Sequence, residues 1–367
     1  MNEKIIALRE KLKSLDLQGM IITNPINIRY LTNINAEGIL LITRREYVYI
    51  TDARYMEAVN KSLTIEDEII VYDYRELSKE DYENFFTFCE NVGFEESNLT
   101  YAKYKEYMHK YKINNFEETE GLIEKIRIVK SDEEIENIKK ACRLTDSCFD
   151  HIREFIKIGM TEKEIAYEIE KFFITNGADG LAFDTIVASG INSSMPHAVP
   201  TDKKIEEGDP ITIDMGCKYN GYCSDMTRTV FAGYVPHYMQ PVYDLVLKEQ
   251  LWVLQELKEG ANLKLLSKGV ESDFKLNGAS MIHSLGHGVG LEIHEYPYMT
   301  PKGDYIVRAN TVVTDEPGIY IPGRFGVRIE DTVQVTKYAS QNLTMSEKGY
   351  VIVGKWCGIS TKPLTFL

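Results

Sequence analysis

The sequence predicts an α+β chain of two domains, and three observations carry that expectation. Its 367 residues exceed the roughly 150 that one ordinary domain needs. Residues 1–125 alternate short apolar runs with helical stretches, a βα rhythm. Residues 126–367 open on two amphipathic helices and then turn mainly to strands and hairpins.

Within 1–125, Gly19–Thr23, Gly38–Ile42 and Tyr47–Ile50 read as strands, and the intervals 3–15, 53–61 and 79–91 as helices. Nothing there clusters histidine, cysteine and carboxylates, so a packing or oligomerisation role is expected. A boundary follows near Lys130. Ser131 and Glu134 form a capping box, behind which Ile135, Ile138, Cys142 and Cys148 mark one helix face. Thr161 and Glu164 form a second capping box, opening a helix that stops near Gly177. Phe183–Ala188 reads as a strand, and later helices are expected near 240–258 and 263–275. No low-complexity segment or sequence repeat is evident.

The composition, 44% hydrophobic and 27% charged, is that of a soluble globular protein. A net charge of −14 would repel a phosphate backbone, which argues against a nucleic-acid partner. The first residues mix Glu3, Lys4, Glu10, Lys11 and Lys13 among the apolar ones, unlike a signal peptide. No run approaches the ~18 apolar residues of a membrane span. Cys89, Cys142, Cys148, Cys217, Cys223 and Cys357 are scattered and form no C-x-x-C pair, a pattern of free thiols in a reducing compartment. A cytoplasmic protein is expected.

Four segments carry candidate chemistry. Ile211–Gly216 and Cys223–Val230 are β-prone runs flanking Asn220-Gly221, a strong hairpin turn. That turn sets Asp214 opposite Thr227 and Gly216 opposite Asp225, all on one face. Two buried carboxylates so placed demand a shared proton or a cation, and Gly216 leaves the gap between them unfilled. His283, His287 and His294 fall among Gly286, Gly288 and Gly290, where imidazoles can serve as metal ligands or acid–base groups. Thr314–Tyr320 carries Glu316 before Pro317-Gly318, and Val327–Val335 alternates as one further strand bearing Arg328, Glu330 and Asp331. Arg328 shares a face with Glu330, as a charge partner for the carboxylates or for a substrate. Pro196 and Pro200 flank His197 and restrict its backbone.

In this order the segments resemble the pita-bread metallopeptidases, a family of methionine aminopeptidases, aminopeptidase P, prolidase and the non-metal enzyme creatinase. The family's ligand order of Asp, Asp, His, Glu, Glu falls on Asp214, Asp225, His287, Glu316 and Glu330. Asn27–Thr32 resembles the creatinase-type N-terminal domain of the proline-directed members. The resemblance implies a pita-bread catalytic domain over 126–367 and a smaller α/β creatinase-type domain over 1–125. It implies two divalent cations, manganese first, with cobalt, iron or zinc as alternatives. Asp225 and Glu330 would bridge them, Asp214 would hold one, and His287 with Glu316 the other. Glu316 would shuttle a proton, and His197 and His294 would hydrogen-bond the substrate carbonyl and the tetrahedral intermediate. Thr227 would orient Asp214 or Asp225. A homodimer is expected.

His283, four residues before His287, matches the proline-pocket position of the Xaa-Pro branch. The expected substrates are therefore peptides with proline in the second position. Many prolidases carry arginine four residues after the His294 position, to hold a dipeptide's carboxylate. Tyr298 stands there instead. The departure favours an aminopeptidase P type acting on longer peptides, with dipeptide-specific prolidase as the alternative. An inactive pita-bread binding module would show broken ligand positions, and none is broken. An unrelated α/β hydrolase would need a G-x-S-x-G nucleophile motif, which is absent.

Overall fold

A computed structural model describes residues 3–63 and 68–354. Cys357, read above as a free thiol, lies outside them. The chain divides into two compact units, Met1–Arg127 and Ile128–Leu367.

The first unit is a six-stranded sheet. Its strands β1 (Gly19–Ile22), β2 (Gly38–Thr43), β3 (Tyr47–Thr51), β4 (Ile69–Asp73), β5 (Asn91–Phe94) and β6 (Asn115–Glu118) lie in the order β4-β3-β2-β1-β5-β6. β1 and β2 pair antiparallel across the helix Pro25–Thr32, and β2 and β3 across a short turn, whereas β3–β4, β1–β5 and β5–β6 are parallel. Ile21, Leu41, Val48, Val92 and Phe116 form its core with Tyr82, Phe86 and Tyr111. The helix expected over 79–91 ends at Asn84. Beyond it Phe86 is buried edge-on against Tyr111, and Asn91 already begins β5.

In the second unit both capping boxes form. Ser131 and Glu134 open the helix Asp132–Phe155, and Thr161 and Glu164 open Glu162–Thr175. Ile135, Ile138, Cys142 and Cys148 are buried on the first of these helices. A later pair, Gln240–Glu256 and Leu263–Leu276, precedes the second half of the unit.

Each helix pair leads to a long hairpin. In the first, β9 (Pro210–Met215) and β12 (Met226–Ala232) pair as Asp214↔Thr227 and Met215↔Met226. The same register continues through β10 (Cys217–Tyr219) and β11 (Tyr222–Cys223) to a two-residue turn, Asn220-Gly221, with φ of 48° and 78°. These positive values explain the Asn-Gly pair. β7 (Gly180–Leu181) pairs with β10, and β8 (Ile186–Ser189) flanks β9 on its other edge.

In the second hairpin, β15 (Val312–Asp315) pairs with β18 (Asp331–Val335), ending at Asp315↔Asp331. β16 (Gly318–Ile321) pairs with β17 (Phe325–Arg328) in the same register, beginning at Gly318↔Arg328. The strand expected over Val327–Val335 is thus two strands in two sheets. At the break, Ile329 N–H still reaches the carbonyl of its register partner Pro317, at 3.4 Å, but Glu330 N–H turns away to the Thr227 carbonyl of the first hairpin. β13 (Gly286–Gly288) adds to β15, and β14 (Glu295–Met299) to β13.

Strand alternation then fixes the faces. Ile211, Ile213 and Met215 enter one core, which leaves Thr212 and Asp214 on the opposite face. Phe325 and Val327 enter the other core, which leaves Gly326 and Arg328 opposite.

Candidate metal centre

A cavity of about 280 Å³ is lined by all five expected ligand residues, Asp214, Asp225, His287, Glu316 and Glu330. His197, His283, His294, Tyr298 and Arg328 line it as well. Ligand atoms of Asp225, His287 and Glu330 all lie within 4.8 Å of one another. His287 Nε2 is 3.5 Å from Asp225 Oδ2 and 3.4 Å from Glu316 Oε1.

Three of the four acids sit where strands break. Asp225 stands between β11 and β12, and Glu316 and Glu330 lie in the matched interruptions of the second hairpin. Asp214 lies inside a ladder. The breaks free backbone groups that bond elsewhere. Asp225 N–H donates to the Thr332 hydroxyl, which donates to the Asp225 carbonyl, and Glu316 N–H bonds the Leu285 carbonyl. Gly216 is required for a different reason from the one expected. A Cβ there would clash with the Ser224 carbonyl and the Phe183 ring, not with a gap between carboxylates.

The electrostatics ask for a cation. Burial, then Asp214 and Glu316, push the Asp225 carboxyl well above the usual carboxylate range. Burial, then Asp225 and Glu316, do the same to Glu330, and burial also raises Glu316. Asp214 Oδ2 accepts from Arg328 at 2.7 Å, while its Oδ1 is buried without a hydrogen-bond partner. A buried lone carboxylate oxygen beside mutually repelling acids suits a divalent ion. Burial lowers the basicity of His287, leaving the neutral imidazole that ligation needs, and its Nδ1 lies 3.1 Å from the Gly288 carbonyl. Four carboxylates and one imidazole make a hard, oxygen-rich site suited to divalent cations.

Supporting residues follow from period two. Thr314 donates to Glu316 Oε1 at 3.1 Å and accepts from His287 N–H at 3.0 Å. Thr227 donates to Glu330 Oε2 at 2.6 Å, and so orients Glu330 rather than either aspartate. Arg328 donates to Asp214, Thr227, the Tyr320 hydroxyl and the Pro196 carbonyl. A substrate carboxylate would have to compete with these four acceptors. Tyr320, which the sequence reading passed over, also lies 3.0 Å from His283 Nε2. The alternation Thr314, Glu316, Gly318, Tyr320 could have flagged it. The His294 ring packs 4.3 Å from that of His287, and burial lowers the basicity of both His294 and His283.

Comparison with known proteins gives this arrangement a family. Residues 136–337 match metallopeptidase family M24, and residues 4–129 match the creatinase/prolidase N-terminal domain. An Xaa-Pro dipeptidase of Pyrococcus horikoshii is 35% identical, over 95% of this chain and 98% of its own length. The solved structure of an Xaa-Pro dipeptidase from Bacillus anthracis is 37% identical, with a TM-score of 0.89 over 96% of this chain and 99% of that one. That of an X-Pro aminopeptidase from Thermotoga maritima is 31% identical, with a TM-score of 0.85 over 94% and 100%. The chain belongs to the pita-bread metallopeptidases of family M24, joined to their creatinase/prolidase-type N-terminal domain.

Proposed function

We propose that the protein hydrolyses the bond between an N-terminal residue and a following proline, with Xaa-Pro dipeptides as its main substrates. The observation that carries the chemistry is the convergence of Asp225, His287 and Glu330 within 4.8 Å, beside an unpartnered Asp214 oxygen, in one cavity. The choice of dipeptides, the alternative in the sequence reading, is supported by the dipeptidase names of the relatives and by a cavity of only about 280 Å³.

In this reading Asp214, Asp225, His287, Glu316 and Glu330 hold two divalent cations, manganese first. Such a pair lowers the pKa of bound water and polarises the scissile carbonyl. The chain's own groups do the rest. Arg328 fixes Asp214 with its free oxygen facing the site, Thr227 fixes Glu330, and Thr314 fixes Glu316. Glu316, whose carboxyl burial holds above its usual range, can take a proton from water and deliver it to the leaving proline nitrogen. His197 and His294 line the cavity and donate N–H groups to the carbonyl as it gains charge. His283, on Tyr320, lines the pocket for the proline ring. The reading includes a cytoplasmic homodimer, consistent with free thiols at Cys89, Cys142, Cys148, Cys217 and Cys223. No helix among the described residues is long and apolar enough to cross a membrane.

Tyr298 and the committed contacts of Arg328 favour a second reading, cleavage of longer Xaa-Pro peptides. Turnover of Xaa-Pro and Xaa-Pro-Yaa substrates by the Mn²⁺-loaded enzyme decides between them. Dominant dipeptide cleavage is expected. Faster tripeptide cleavage would transfer the assignment to an aminopeptidase, and no hydrolysis of either would end both.

A further inference from the structure

His197 lines the cavity, yet no group among the described residues hydrogen-bonds its imidazole. The position of that ring is therefore set by the backbone on either side of it. The backbone converges on one buried side chain far along the chain, Glu162, in the first turn of the helix Glu162–Thr175.

Oε1 of Glu162 accepts from Ser189 N–H at 2.7 Å, the Ser189 hydroxyl at 2.8 Å and the Asn192 amide at 3.1 Å. Oε2 accepts from the same amide at 3.1 Å, Thr201 N–H at 2.9 Å and the Thr201 hydroxyl at 2.7 Å. Ser189 ends β8, Asn192 lies in the 3₁₀ turn Gly190–Ser194, and Thr201 closes the segment. One carboxylate thus ties the start, the middle and the end of the stretch that carries Pro196 and His197. Burial alone would raise its pKa, but hydrogen bonds from Thr201 and Ser189 outweigh it and hold the group below the usual range. It stays an anion that only accepts. The second hairpin holds the other side of the segment. Gly326 N–H donates to the Ser193 hydroxyl at 2.9 Å, and Arg328 donates to the Pro196 carbonyl at 3.3 Å.

We propose that Glu162 is a positioning residue for catalysis, clamping residues 189–201 so that His197 faces the substrate carbonyl. The proposal rests on the Xaa-Pro peptidase reading. It differs from a purely structural role, in which an acidic side chain in a first helical turn stabilises the fold through the backbone dipole.

Glu162→Gln keeps the side-chain volume but turns one acceptor into a donor, which breaks half of the clamp. In the Mn²⁺-loaded variant kcat on an Xaa-Pro dipeptide should fall roughly 10²-fold, as for a misplaced catalytic group. Metal content should be unchanged. The double variant Glu162→Gln/His197→Ala should be no slower than His197→Ala alone, because residues acting as one unit are not additive. Multiplying losses in the double variant, or an undiminished kcat in the single one, would overturn the proposal. Hydrogen exchange of the substrate-free protein tests the clamp without turnover. Residues 190–201 should exchange faster in Glu162→Gln while β9 and β12 keep their protection, and unaltered exchange in 190–201 would overturn it. Should the wild type hydrolyse no Xaa-Pro bond, the activity reading fails by itself and the exchange result still judges the clamp. If Glu162→Gln does not fold, Thr201→Val, which removes one hydroxyl contact, should shift both readouts in the same direction by less.

Discussion

In the first hairpin Asp214 belongs to an unbroken stretch of ladder opposite Thr227, and only Asp225 stands at a break. In the second, Glu316 and Glu330 both stand at breaks, flanked by Asp315↔Asp331 on one side and Gly318↔Arg328 on the other. The acid in the ladder is neutralised by protein, through Arg328 at 2.7 Å. Among the described residues no lysine or arginine is paired with the acids at the breaks, whose only ion-pair neighbours are the weakly basic His283 and His287, and their carboxyls are pushed up by burial and by neighbouring carboxylates. A ladder holds a side chain in one direction and lets the opposite hairpin supply its partner. A break turns a carboxylate inward and leaves its charge for a metal to balance. The hairpins also trade support, Thr227 of the first bonding Glu330 of the second and Arg328 of the second bonding Asp214 of the first.

The largest effect expected from this contrast is on metal binding. Asp225→Asn and Glu330→Gln should each abolish metal uptake and cut turnover by more than the roughly 10²–10³-fold of a single electrostatic donor. Yet with chelator present both variants should be at least as stable as the wild type, because each removes a repelling buried charge. Metal analysis and denaturant unfolding with and without chelator check this. A destabilised chelated variant would erase the distinction between ladder and break.

Arg328→Met comes next. It strands Asp214 without its cation, which should cost about 3–5 kcal/mol of stability in the metal-free protein, and less with metal bound. Equal losses in both states would mean that Asp214 does not face the cations. Thr227→Val should be milder, about 1–3 kcal/mol, since it leaves Glu330 one donor short. Its readout is weakened metal affinity by competition with a chelator, and unaltered affinity would deny Thr227 its orienting role.

The pH dependence should be graded, with one sign for Asp225 and Glu330 and the opposite sign for Asp331. Asp225 and Glu330 have raised pKa values in the folded metal-free protein, so that state binds more protons than the unfolded chain. Their contribution is full below the ordinary carboxylate range and is lost as pH rises. The Tm of the chelated protein should therefore fall from about pH 5 to pH 8 relative to that of the metal-loaded protein. Asp331, just past the second break, behaves oppositely. Burial raises its pKa, but Arg228 and Lys348 outweigh that and hold it low, so its contribution is lost on acidification. In Asp331→Asn the loss of stability on acidification should be shallower than in the wild type, the two diverging below about pH 4–5, where an unfolded carboxylate begins to titrate.

The same contrast explains what the sequence made legible. Asn220-Gly221 announces its turn through residue types that tolerate positive φ, and the register of the first hairpin follows by counting outward. No comparable mark shows where Val327–Val335 changes sheets. Alternation persists across Ile329 and Glu330, while the break is marked by the bond from Glu330 N–H to the Thr227 carbonyl, distant in the chain. Glu316 and Glu330 were therefore found by residue type and family order, not by the geometry that aims them. Thr227 was found by its register, but its partner Glu330 comes from the other hairpin and cannot be counted from the turn. Glu162 was invisible for the same reason, since its partners lie 27 to 39 residues downstream. In the first unit, Asn91–Phe94 and Asn115–Glu118 carry few β-branched residues and take their strand character from the neighbours they pair with, whereas the β-branched and aromatic run Ile69–Tyr72 could have flagged β4.

The most direct test is an anomalous difference map from Mn²⁺-loaded crystals. Two peaks roughly 3.5–4 Å apart, ligated by Asp214 and Asp225 of the first hairpin and by Glu316 and Glu330 of the second together with His287, are the predicted result. A single peak, or metal away from these side chains, would contradict the dinuclear centre.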